Sequence, residues 1–420
     1  MKNNEMLQQT AQDWRAVRFG LSRIAQLLHM AGDPHKGMRY VHITGTNGKG
    51  STAAMVAGVL QQAGYRTGLF TSPHIQRFGE RIKVNGEEIP QHEVDRLSLQ
   101  LRAWADEMPQ RPTEFELYTA MGFIYFAAQH CDIAVLEVGM GGEFDATNII
   151  ENTAVAVFTN IGLDHTAYLG STPLEIAATK AGILKPGCRA VIYEQDEQVV
   201  QLLQQRAMAL GCEAVVASQA GIVPLEETLS GQRFAYDGSE YTVSLVGAHQ
   251  RKNAVTAITV CRQLQQLGYS ISDEDIFEGL AAAKWPVRFE TVADEPLFII
   301  DGGHNPQCAQ TLAETITSLL AGKRTVLLCG MLQDKDYEHT LAILAPLGAC
   351  AVATAPQSDR ALPAEHIAQC FEQHGLQAYV KEDVAEAVML AKQLAGKDGA
   401  VVCFGSLYLA GEVRTIMGVK

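Results

Sequence analysis

A glycine-rich segment, YVHITGTNGKGST (residues 40–52), places a lysine and two hydroxyl side chains in close succession. The common phosphate loop has a glycine, four residues, Gly-Lys and then Ser or Thr. Here only two residues separate Gly45 from the Gly-Lys pair, and Gly50 stands between Lys49 and Ser51. The lysine can reach the outer phosphates of a nucleotide, and the serine hydroxyl can bind Mg²⁺. The segment therefore predicts a nucleotide site with altered spacing. The alternative is a tight turn with a surface lysine.

The flanking residues predict the elements that would position this segment. Residues 40–44 are rich in β-branched and aromatic side chains and predict a short buried strand. Residues 51–63 contain no proline and precede Gly64, a residue type favoured after a helix. A loop between a strand and a helix start offers free backbone N–H groups and the positive end of the helix dipole. This context favours phosphate binding.

Charged side chains follow two further predicted strands. Glu137, in LEVGMGGEFDATN (136–148), lies at the carboxyl end of a predicted strand, where open α/β sheets bind ligands. A carboxylate there can hold Mg²⁺, which prefers oxygen ligands, although an ordinary strand-end acid is an equally good interpretation. Asp164 and His165 follow the next predicted strand, so they would lie at the same edge. Lys180 lies in Ala-rich helical sequence beyond them and by itself is interpreted as a solvated charge.

A similar corner occurs in the last third of the chain. In IIDGGHNP (299–306), Asp301 and His304 lie between a predicted strand and a helix that Asn305 would cap. This corner is either a ligand-binding edge or a capped turn. Asn253 ends the motif GAHQRKN and offers, with the histidine and glutamine before it, a polar group suited to a base edge.

Continuous apolar runs predict parallel strands buried on both faces of a sheet. They are RTGLF (66–70), DIAVLEV (132–138), AVAVFT (154–159), RAVIY (189–193), LFIID (297–301), TVLLCG (325–330), CAVAT (350–354) and AVVCFG (400–405). The alternation and Asp-Gly of residues 234–247 predict a hairpin. Val17, Leu21, Ile24 and Leu28 recur at helical spacing and predict an amphipathic helix before the phosphate loop.

The order of these elements predicts an α/β protein with two domains. The first, residues 1–285, would be an ATPase domain with a phosphate loop and a mainly parallel sheet. A linker would follow at 286–296. Residues 297–420 would form a smaller Rossmann-like domain.

Composition limits the classes of function. The chain has 420 residues, of which 47% are hydrophobic and 19% charged, as in globular proteins of more than one domain. The formal net charge of −14 argues against a general nucleic-acid or membrane surface. The polar N-terminus lacks the apolar core of a signal peptide, and no apolar run reaches the roughly 18 residues of a membrane helix. Nine scattered cysteines without a Cys-x-x-Cys pair favour reduced thiols in a cytoplasmic protein.

Together, these segments resemble the folylpolyglutamate synthase/dihydrofolate synthase family, within the Mur ligase superfamily. The motifs occur in order along nearly the whole chain, and the set is far more specific than any one of them. They are GTNGKGS (45–51), TSPH (71–74), EFE (114–116), EVGMGGEFDATN (137–148), DHTAYLG (164–170), TKAGILKPG (179–187), HQRKNA (249–254), RFE (288–290), DGGHNP (301–306) and GMLQDKD (330–336). The resemblance implies that the short glycine-rich loop is this family's variant of the phosphate loop.

The resemblance implies an ATP-dependent acid–amino-acid ligase of folate biosynthesis and one-carbon metabolism. ATP would phosphorylate a carboxylate to an acyl phosphate, the amine of L-glutamate would attack it, and phosphate would leave. The acceptor would be dihydropteroate, or a reduced folate extended at its γ-carboxylate, or both. Because a carboxylate is a poor electrophile, phosphorylation supplies a leaving group, and Mg²⁺ and Lys49 would offset the charge on the transferring phosphoryl group.

The resemblance also assigns roles to individual residues. Those in catalysis would be Lys49, His165 and Lys180. Those binding ATP would be Thr46, Asn47, Gly48, Lys49, Gly50, Ser51 and Asn253, and, from the second domain, Arg288, Asp301 and His304. The resemblance implies two Mg²⁺ sites. Ser51, Ser72 and Glu137 would lie at one, and His165 and a carbamate of Lys180 at the other. Those bordering the pterin end of the acceptor would be Leu21, Ser22, Arg23, Ile24, Thr113, Phe144, Asp145 and Ala146.

Three positions depart from the family's usual pattern. Glu143 stands where an arginine is common, Val287 replaces a glycine, and Gly303 replaces an alanine. The last two should alter the shape of their loop only mildly. The first reverses a charge beside the expected acceptor pocket.

Two other functions remain open. A Mur-type ligase on another carboxylate would carry a nucleotide-sugar-binding domain before the phosphate loop, and the 44 residues before Gly45 are too few for one. An ATP-hydrolysing regulatory protein would need no glutamate. The expected partners are small-molecule substrates, with no nucleic acid or membrane, and the expected state is a monomer.

Overall fold

The computed structural model describes residues 20–419, which divide into two compact units by their internal contacts. Within that range, the first unit contains residues up to 221 and again 252–283, and the second contains 222–251 and everything from 284 onward. This division differs from the predicted one at 222–251. Those residues build a small sheet of their own and take no part in the large sheet of the first unit.

The large sheet of the first unit has the strand order β4-β3-β2-β5-β1-β6-β7-β8. Its strands are β1 (Arg39–Thr44), β2 (Thr67–Phe70), β3 (Ile82–Val84), β4 (Glu87–Glu88), β5 (Ile133–Glu137), β6 (Thr153–Phe158), β7 (Arg189–Tyr193) and β8 (Glu213–Ala217). All neighbours from β2 to β8 pair in parallel, whereas β3 and β4 pair antiparallel at one edge. The apolar runs predicted as parallel strands are thereby confirmed.

Helices alternate with these strands. Before residue 284 they are α1 (Ser22–Met30), α2 (Lys49–Gln62), α3 (Gln91–Glu107), α4 (Glu114–Ala128), α5 (Thr166–Leu169), α6 (Pro173–Lys180), α7 (Glu197–Ala209), α8 (Ala248–Gln266) and α9 (Asp273–Ala282). The predicted amphipathic helix is α1, whose Ile24 and Leu28 are buried in the core. Val17, part of the same prediction, lies outside the described residues.

Two apolar clusters lie against the large sheet. One joins Tyr40, Phe70 and Leu136 to residues of α1, α3 and α4. The other joins Phe158 and Ile192 to residues of α6 and α7. Parallel strands have their carboxyl ends at the same edge of a sheet. The polar side chains that follow each strand therefore lie at that edge.

The second unit contains two sheets. Strands β9 (Val223–Thr228), β10 (Gly231–Tyr236) and β11 (Ser239–Val243) are antiparallel. Asp237 and Gly238 join β10 to β11 with φ of 48° and 76°, so the predicted hairpin is confirmed. The other sheet has the order β12-β13-β17-β14-β15-β16 and is parallel except for β12.

The strands of this second sheet are β12 (Glu290–Asp294), β13 (Leu297–Ile300), β14 (Thr325–Cys329), β15 (Cys350–Ala353), β16 (Ala378–Val380) and β17 (Ala400–Phe404). Its helices are α10 (Pro306–Leu319), α11 (Tyr337–Leu344), α12 (Ala364–Gln373), α13 (Val384–Ala395) and α14 (Leu407–Ile416). The segment predicted as a linker therefore contains β12, which pairs with β13. Asn305 caps α10 by accepting the Cys308 N–H, as predicted.

The nine cysteines are free thiols in the structure, seven of them buried and two partly exposed. Among residues 20–419, no helix combines the length and the apolar character needed to cross a membrane.

Candidate active site at the carboxyl edge of the large sheet

The glycine-rich loop connects β1 directly to α2. Gly48 has a φ of 88°, and the helix begins at the next residue, Lys49. At the other end of α2, Gly64 has a φ of 83° and the Tyr65 N–H donates to the Leu60 carbonyl oxygen, which ends the helix in a Schellman motif. The predicted strand, loop and helix are all confirmed.

The loop is held by the segment that follows β6. The N–H groups of Thr46 and Asn47 donate to the Asn160 carbonyl oxygen at 2.7 and 3.1 Å. The Thr46 hydroxyl exchanges hydrogen bonds with the backbone of Gly162. Since these bonds occupy the first part of the loop, the N–H groups free for an anion are those at the start of α2.

Gly45 allows the loop to pass close to Thr159. A Cβ atom at Gly45 would lie 1.9 Å from the Thr159 hydroxyl oxygen, and the glycine φ is 153°. We expect Gly45→Ala to lower the free energy of unfolding by about 1–3 kcal/mol, since overpacking costs that much, and to weaken MgATP binding. Chemical denaturation and nucleotide titration measure the two effects.

Gly64→Ala is a matched control, because Gly64 also has a positive φ but has open space where the Cβ would be. It should lose stability from the backbone conformation alone, about 1–2 kcal/mol, and keep nucleotide affinity. Equal nucleotide affinity in both variants would contradict the close packing of the loop.

Two more strands, β5 and β2, end beside the loop. In the parallel register Glu137 lies opposite Ile43, and the Ser72 N–H, just after β2, donates to a Glu137 carboxylate oxygen at 3.1 Å. Glu137 and Ser51 are both buried. Among residues 20–419 no group of three or more His, Cys, Asp or Glu is placed to hold a metal. The donor set that is present, a carboxylate and hydroxyls, fits Mg²⁺ bound mainly through phosphates and water.

Lys180 reaches the phosphate loop from the end of α6. Its Nζ donates to the Gly45 carbonyl oxygen at 2.8 Å, and its side chain is only 3% exposed. The interpretation of Lys180 as a solvated charge was therefore wrong, because the residue is buried at the end of α6 with its Nζ on the phosphate loop. Lys49 donates to the same carbonyl oxygen at 3.1 Å.

Two ammonium groups on one carbonyl oxygen repel each other. Burial, and next the charge of Lys49, lower the pKa of Lys180 to about 7, while Asp164 and Asp145 oppose the shift. Lys180 is therefore substantially neutral at physiological pH, and its nitrogen lone pair is available for chemistry.

This pKa predicts how stability depends on pH. The folded pKa lies below the roughly 10.4 of an unfolded lysine, so the unfolded state binds the extra proton between pH 7 and about 10. Stability should rise with pH across that window, by up to about 1.4 kcal/mol per pH unit from this group, and the effect should level off below pH 7. Denaturation of wild type and Lys180→Met in CO₂-free buffer measures the difference.

The exposed Lys36 provides the control, because Lys36→Met should leave the pH dependence of wild type unchanged. Parallel stability curves for wild type and Lys180→Met between pH 7 and 10 would mean that Lys180 keeps an ordinary pKa.

The loop after β5 contains three of the predicted acceptor residues. Phe144 is 47% exposed, whereas Asp145 and Ala146 are buried. Asp145 accepts the Met140 N–H at 2.9 Å and both the N–H and the hydroxyl of Thr147, at 3.0 and 2.5 Å. Burial raises the pKa of Asp145, and these donors oppose the rise.

The other predicted acceptor residues lie at α1 and α4. Arg23 Nε and the Thr113 N–H both donate to one Glu116 oxygen, at 3.0 and 2.6 Å. Leu21 and Ser22 retain exposed surface, but Ile24 is completely buried, so its side chain supports the core. Glu116 was not predicted as a site residue; its signal is the capping box with Thr113.

His165 and Asn253, two predicted site residues, differ in their surroundings. His165 is exposed, has a φ of 51° and lies 3.9 Å from an Asp164 carboxylate oxygen. Asn253 is buried against the phosphate loop, with its Oδ1 2.6 Å from where a Gly48 Cβ would lie. The structure thus brings Asn253 to the loop, while the preceding Gln250 is enclosed in the interior.

The predicted residues of the second unit form a cluster of their own. Asp301 accepts the N–H groups of Phe289 and Gly303 at 2.9 and 2.7 Å, and Arg288 Nη1 lies 2.7 Å from where a Gly302 Cβ would be. Val287 has a φ of 53°, so it keeps the conformation that a glycine would adopt easily.

His304 completes this cluster, with its Nδ1 3.1 Å from the Gly302 carbonyl oxygen. A Cβ at Gly303 would lie 2.8 Å from Asp301 Oδ1 and 3.0 Å from the Cys308 Cβ. An alanine at position 303, as in the usual pattern, would therefore need the neighbours to shift.

A phosphate loop at the carboxyl edge of a mainly parallel sheet, with a carboxylate and a buried lysine beside it, defines a nucleotide-binding α/β enzyme. Two family models match the chain: the Mur ligase middle domain over residues 43–261, and the Mur ligase glutamate ligase domain over residues 287–407.

Comparisons with individual proteins identify the family within this class of enzyme. The chain is 35% identical to the Bacillus subtilis dihydrofolate synthase/folylpolyglutamate synthase, over 95% of each chain. Mycobacterium tuberculosis folylpolyglutamate synthase, solved with ADP and AMPPCP, has a TM-score of 0.89 and 31% identity over 100% of this chain and 98% of its own. Escherichia coli FolC with DHPP and ADP has a TM-score of 0.86 and 28% identity over 99% and 96%. The chain belongs to the folylpolyglutamate synthase/dihydrofolate synthase family of Mur ligases.

Reasoning from the sequence missed the residues that hold the site together. Asn160 and Thr159 position the phosphate loop, and the Thr44 hydroxyl donates to the Gly141 carbonyl oxygen at 2.7 Å. These residues carry only a weak signal, since each is a short polar side chain at the end of an apolar run. Their partners lie far along the chain, so spacing alone does not reveal them.

Proposed function

We propose that this protein is an ATP-dependent ligase that adds L-glutamate to dihydropteroate, to the γ-carboxylate of reduced folates, or to both, through an acyl phosphate. The observation that carries the proposal is the phosphate loop with Lys180 bound to its first carbonyl. The ADP complexes and the DHPP complex of family members support nucleotide and pteroate-type substrates. Small molecules are thus its partners, and we propose a cytoplasmic monomer.

The reaction requires charge stabilisation and positioning more than covalent chemistry by the protein. The N–H groups at the start of α2 and the Lys49 ammonium would bind the outer phosphates and stabilise charge as the γ-phosphoryl group moves to the acceptor carboxylate. The glutamate amine would then attack the acyl carbon. An N–C bond would form, the C–O bond to phosphate would break, and phosphate and one amine proton would leave. Asn253, Arg288, Asp301 and His304 would bind further parts of ATP.

Magnesium would be held at two places. Ser51, Ser72 and Glu137 would supply oxygen donors for one ion, and His165 with a Lys180 carbamate would supply ligands for the other. Bound Mg²⁺ would neutralise phosphate charge. A manganese and AMPPNP complex of the Yersinia pestis enzyme supports divalent-metal use in the family.

The lowered pKa of Lys180 supports the proposed carbamate, which forms from the neutral amine. The Nζ lone pair attacks the carbon of CO₂, an N–C bond forms, one C–O bonding pair moves to oxygen, and an N–H proton leaves to solvent. The neutral amine thereby becomes an anionic group with two oxygens. This reverses the repulsion between Lys180 and Lys49 and provides the ligand type that Mg²⁺ prefers.

A coupled phosphate-release assay tests the proposal. Phosphate should appear only when ATP, L-glutamate and an acceptor are all present, with dihydropteroate and tetrahydrofolate compared as acceptors. Phosphate release without glutamate would favour an ATP-hydrolysing regulatory protein. Release with glutamate and a different carboxylate alone would favour a Mur-type ligase on another acceptor.

Glu143 should influence which acceptors bind. Its N–H donates to the Thr179 carbonyl oxygen, one residue before Lys180, and its side chain is exposed beside Phe144. Because the acceptor is anionic, we expect Glu143→Gln to lower the acceptor KM by about two- to fivefold, the size of an exposed charge interaction. The decrease should be larger for acceptors with more glutamates and at low ionic strength.

Glu107→Gln is the control, because Glu107 is also an exposed carboxylate but lies at the end of α3. It should leave the acceptor KM unchanged. A Glu143→Gln enzyme whose acceptor KM equals that of wild type at every salt concentration would show that this charge does not affect binding.

A further inference from the structure

His42 is a buried polar residue for which the proposed mechanism gives no role. It lies on the central strand β1, three residues before the phosphate loop, and is 0% exposed. In the parallel register its neighbours are Leu136 on β5 and Ala156 on β6. These two belong to the separate apolar clusters on that face, so the imidazole lies between them.

One imidazole nitrogen is bonded and the other is not. Nε2 lies 2.8 Å from the Thr147 hydroxyl oxygen, whereas Nδ1 is buried without a hydrogen-bond partner. Burial, and next the charge of Lys185, lower the pKa of His42 to about 3, so the ring is neutral at physiological pH. A neutral ring can donate from only one nitrogen.

The direction of the hydrogen bonds follows from Asp145. Burial raises the pKa of Asp145, but the N–H groups of Met140 and Thr147 donate to its two oxygens and oppose the rise. Both oxygens are thus placed as acceptors, and a carboxylate can only accept. The Thr147 hydroxyl hydrogen is therefore directed to Asp145, at 2.5 Å. The lone pairs of that hydroxyl then face His42, so Nε2 carries the hydrogen and donates.

This chain of bonds joins the strand that precedes the phosphate loop to the loop that contains Phe144, Asp145 and Ala146. We propose that His42 is a positioning residue, which holds the Asp145 carboxylate, through Thr147, in the orientation that accepts a hydrogen bond from an N–H edge of the acceptor. The inference rests on the proposed function, since it assumes that this loop borders the pterin end. It adds a residue, His42, that acts only through Thr147 and touches no substrate.

A purely structural role makes different predictions. If His42 only filled the core, an apolar side chain could replace it without loss of acceptor affinity. The replacement would also remove Nδ1, a buried nitrogen that has no hydrogen-bond partner. His35 is such a case for comparison. It is also buried, its Nδ1 also lacks a partner, and its ring packs on Phe123 without a bond to the Asp145 loop.

Four variants separate the two roles by steady-state kinetics. His42→Leu removes the donor, Thr147→Val removes the hydroxyl with little change of shape, and His42→Gln keeps an N–H donor near the position of Nε2. His35→Leu is the control. We expect His42→Leu and Thr147→Val each to raise the acceptor KM about tenfold, the loss of one hydrogen bond to a charged group, with the ATP KM within about twofold of wild type. His42→Gln should restore most of the affinity, and His35→Leu should leave the acceptor KM unchanged.

The double variant His42→Leu/Thr147→Val gives the sharpest result. If both residues act through one chain of hydrogen bonds, the double variant should have an effect no larger than the larger single change, whereas independent roles predict that the two effects multiply. Multiplying effects, or equal acceptor KM values for His42→Leu and His35→Leu, would overturn the inference.

Hydrogen exchange at the Met140 and Thr147 amides needs no substrate and keeps the two proposals distinguishable. Both amides donate to Asp145 and should exchange faster in His42→Leu than in His35→Leu. Unchanged exchange overturns the positioning role whatever the activity. Faster exchange in a protein whose wild type shows no acceptor-dependent phosphate release would retain the positioning role and overturn the proposed acceptor.

Discussion

Lys49→Ala is expected to abolish measurable ligation while the protein remains folded. Lys49 begins α2, and its Nζ contacts only carbonyl oxygens of its own loop, those of Gly45 and Thr46, among the bonds the structure describes. Loss of its charge removes stabilisation of the transferring phosphoryl group. We expect kcat/KM for ATP to fall by about 10²–10³-fold or more, the cost of removing one preorganised donor at a developing charge.

Two variants make this result interpretable. Lys36→Ala removes an exposed lysine that pairs with Asp33 and should keep wild-type turnover. Lys49→Arg keeps the charge but changes its shape and should retain only part of the activity. Thermal unfolding should show Lys49→Ala folded. Wild-type turnover of Lys49→Ala at saturating ATP would refute the phosphate-loop assignment.

Lys180→Ala is expected to lose most activity and to regain part of it when acetate is added. The side chain is buried, and its pKa of about 7 leaves the amine free to react with CO₂. If the working form is a carbamate, the variant lacks an anion, and a small carboxylate can occupy the vacated position. We expect a loss of about 10²-fold or more and a rescue that saturates with acetate concentration.

Rescue by a small amine instead of acetate would indicate the alternative role, a cationic Lys180. A cationic Lys180 that contacts phosphate would be replaced by a small amine and not by acetate. Lys185→Ala is the control, since Lys185 is also partly buried with a lowered pKa, but its Nζ donates to the Asn148 carbonyl oxygen. It should show no acetate rescue. An intact mass of active enzyme without one added CO₂, measured without acid treatment, would also contradict the carbamate.

The sequence predicted the sheet well where strands are continuous and apolar. The central strands β2, β5, β6 and β7 were found from such runs, and β1 from its β-branched and aromatic residues, because both faces of these strands are covered and buried apolar residues predominate in them. The strands that were missed are short or lie at sheet edges. Strand β4 has two residues, and β9 reads VPLEET and is mostly exposed, so neither carries a periodic pattern.

The sequence also does not determine where the boundary between the two units lies. Residues 234–247 were predicted as a hairpin, but their sequence does not state which unit the hairpin joins. Val246, at the end of this segment, packs in one apolar cluster with Phe289 and Leu297, which keeps the segment with the second unit. Contacts between segments that are distant in the chain cannot be predicted from local amino-acid composition.

By itself, the sequence predicted the strand, the glycine-rich loop and the following helix correctly, because these residues are neighbours in the chain. It also placed Glu137 and Asp164 at one sheet edge, since parallel strands bring their carboxyl ends together. Only the tertiary structure decided the state of Lys180. Its pKa depends on burial and on Lys49, and its hydrogen bond to Gly45 joins residues far apart in sequence. A charge is solvated or neutralised by its surroundings, and those exist only once the chain has folded.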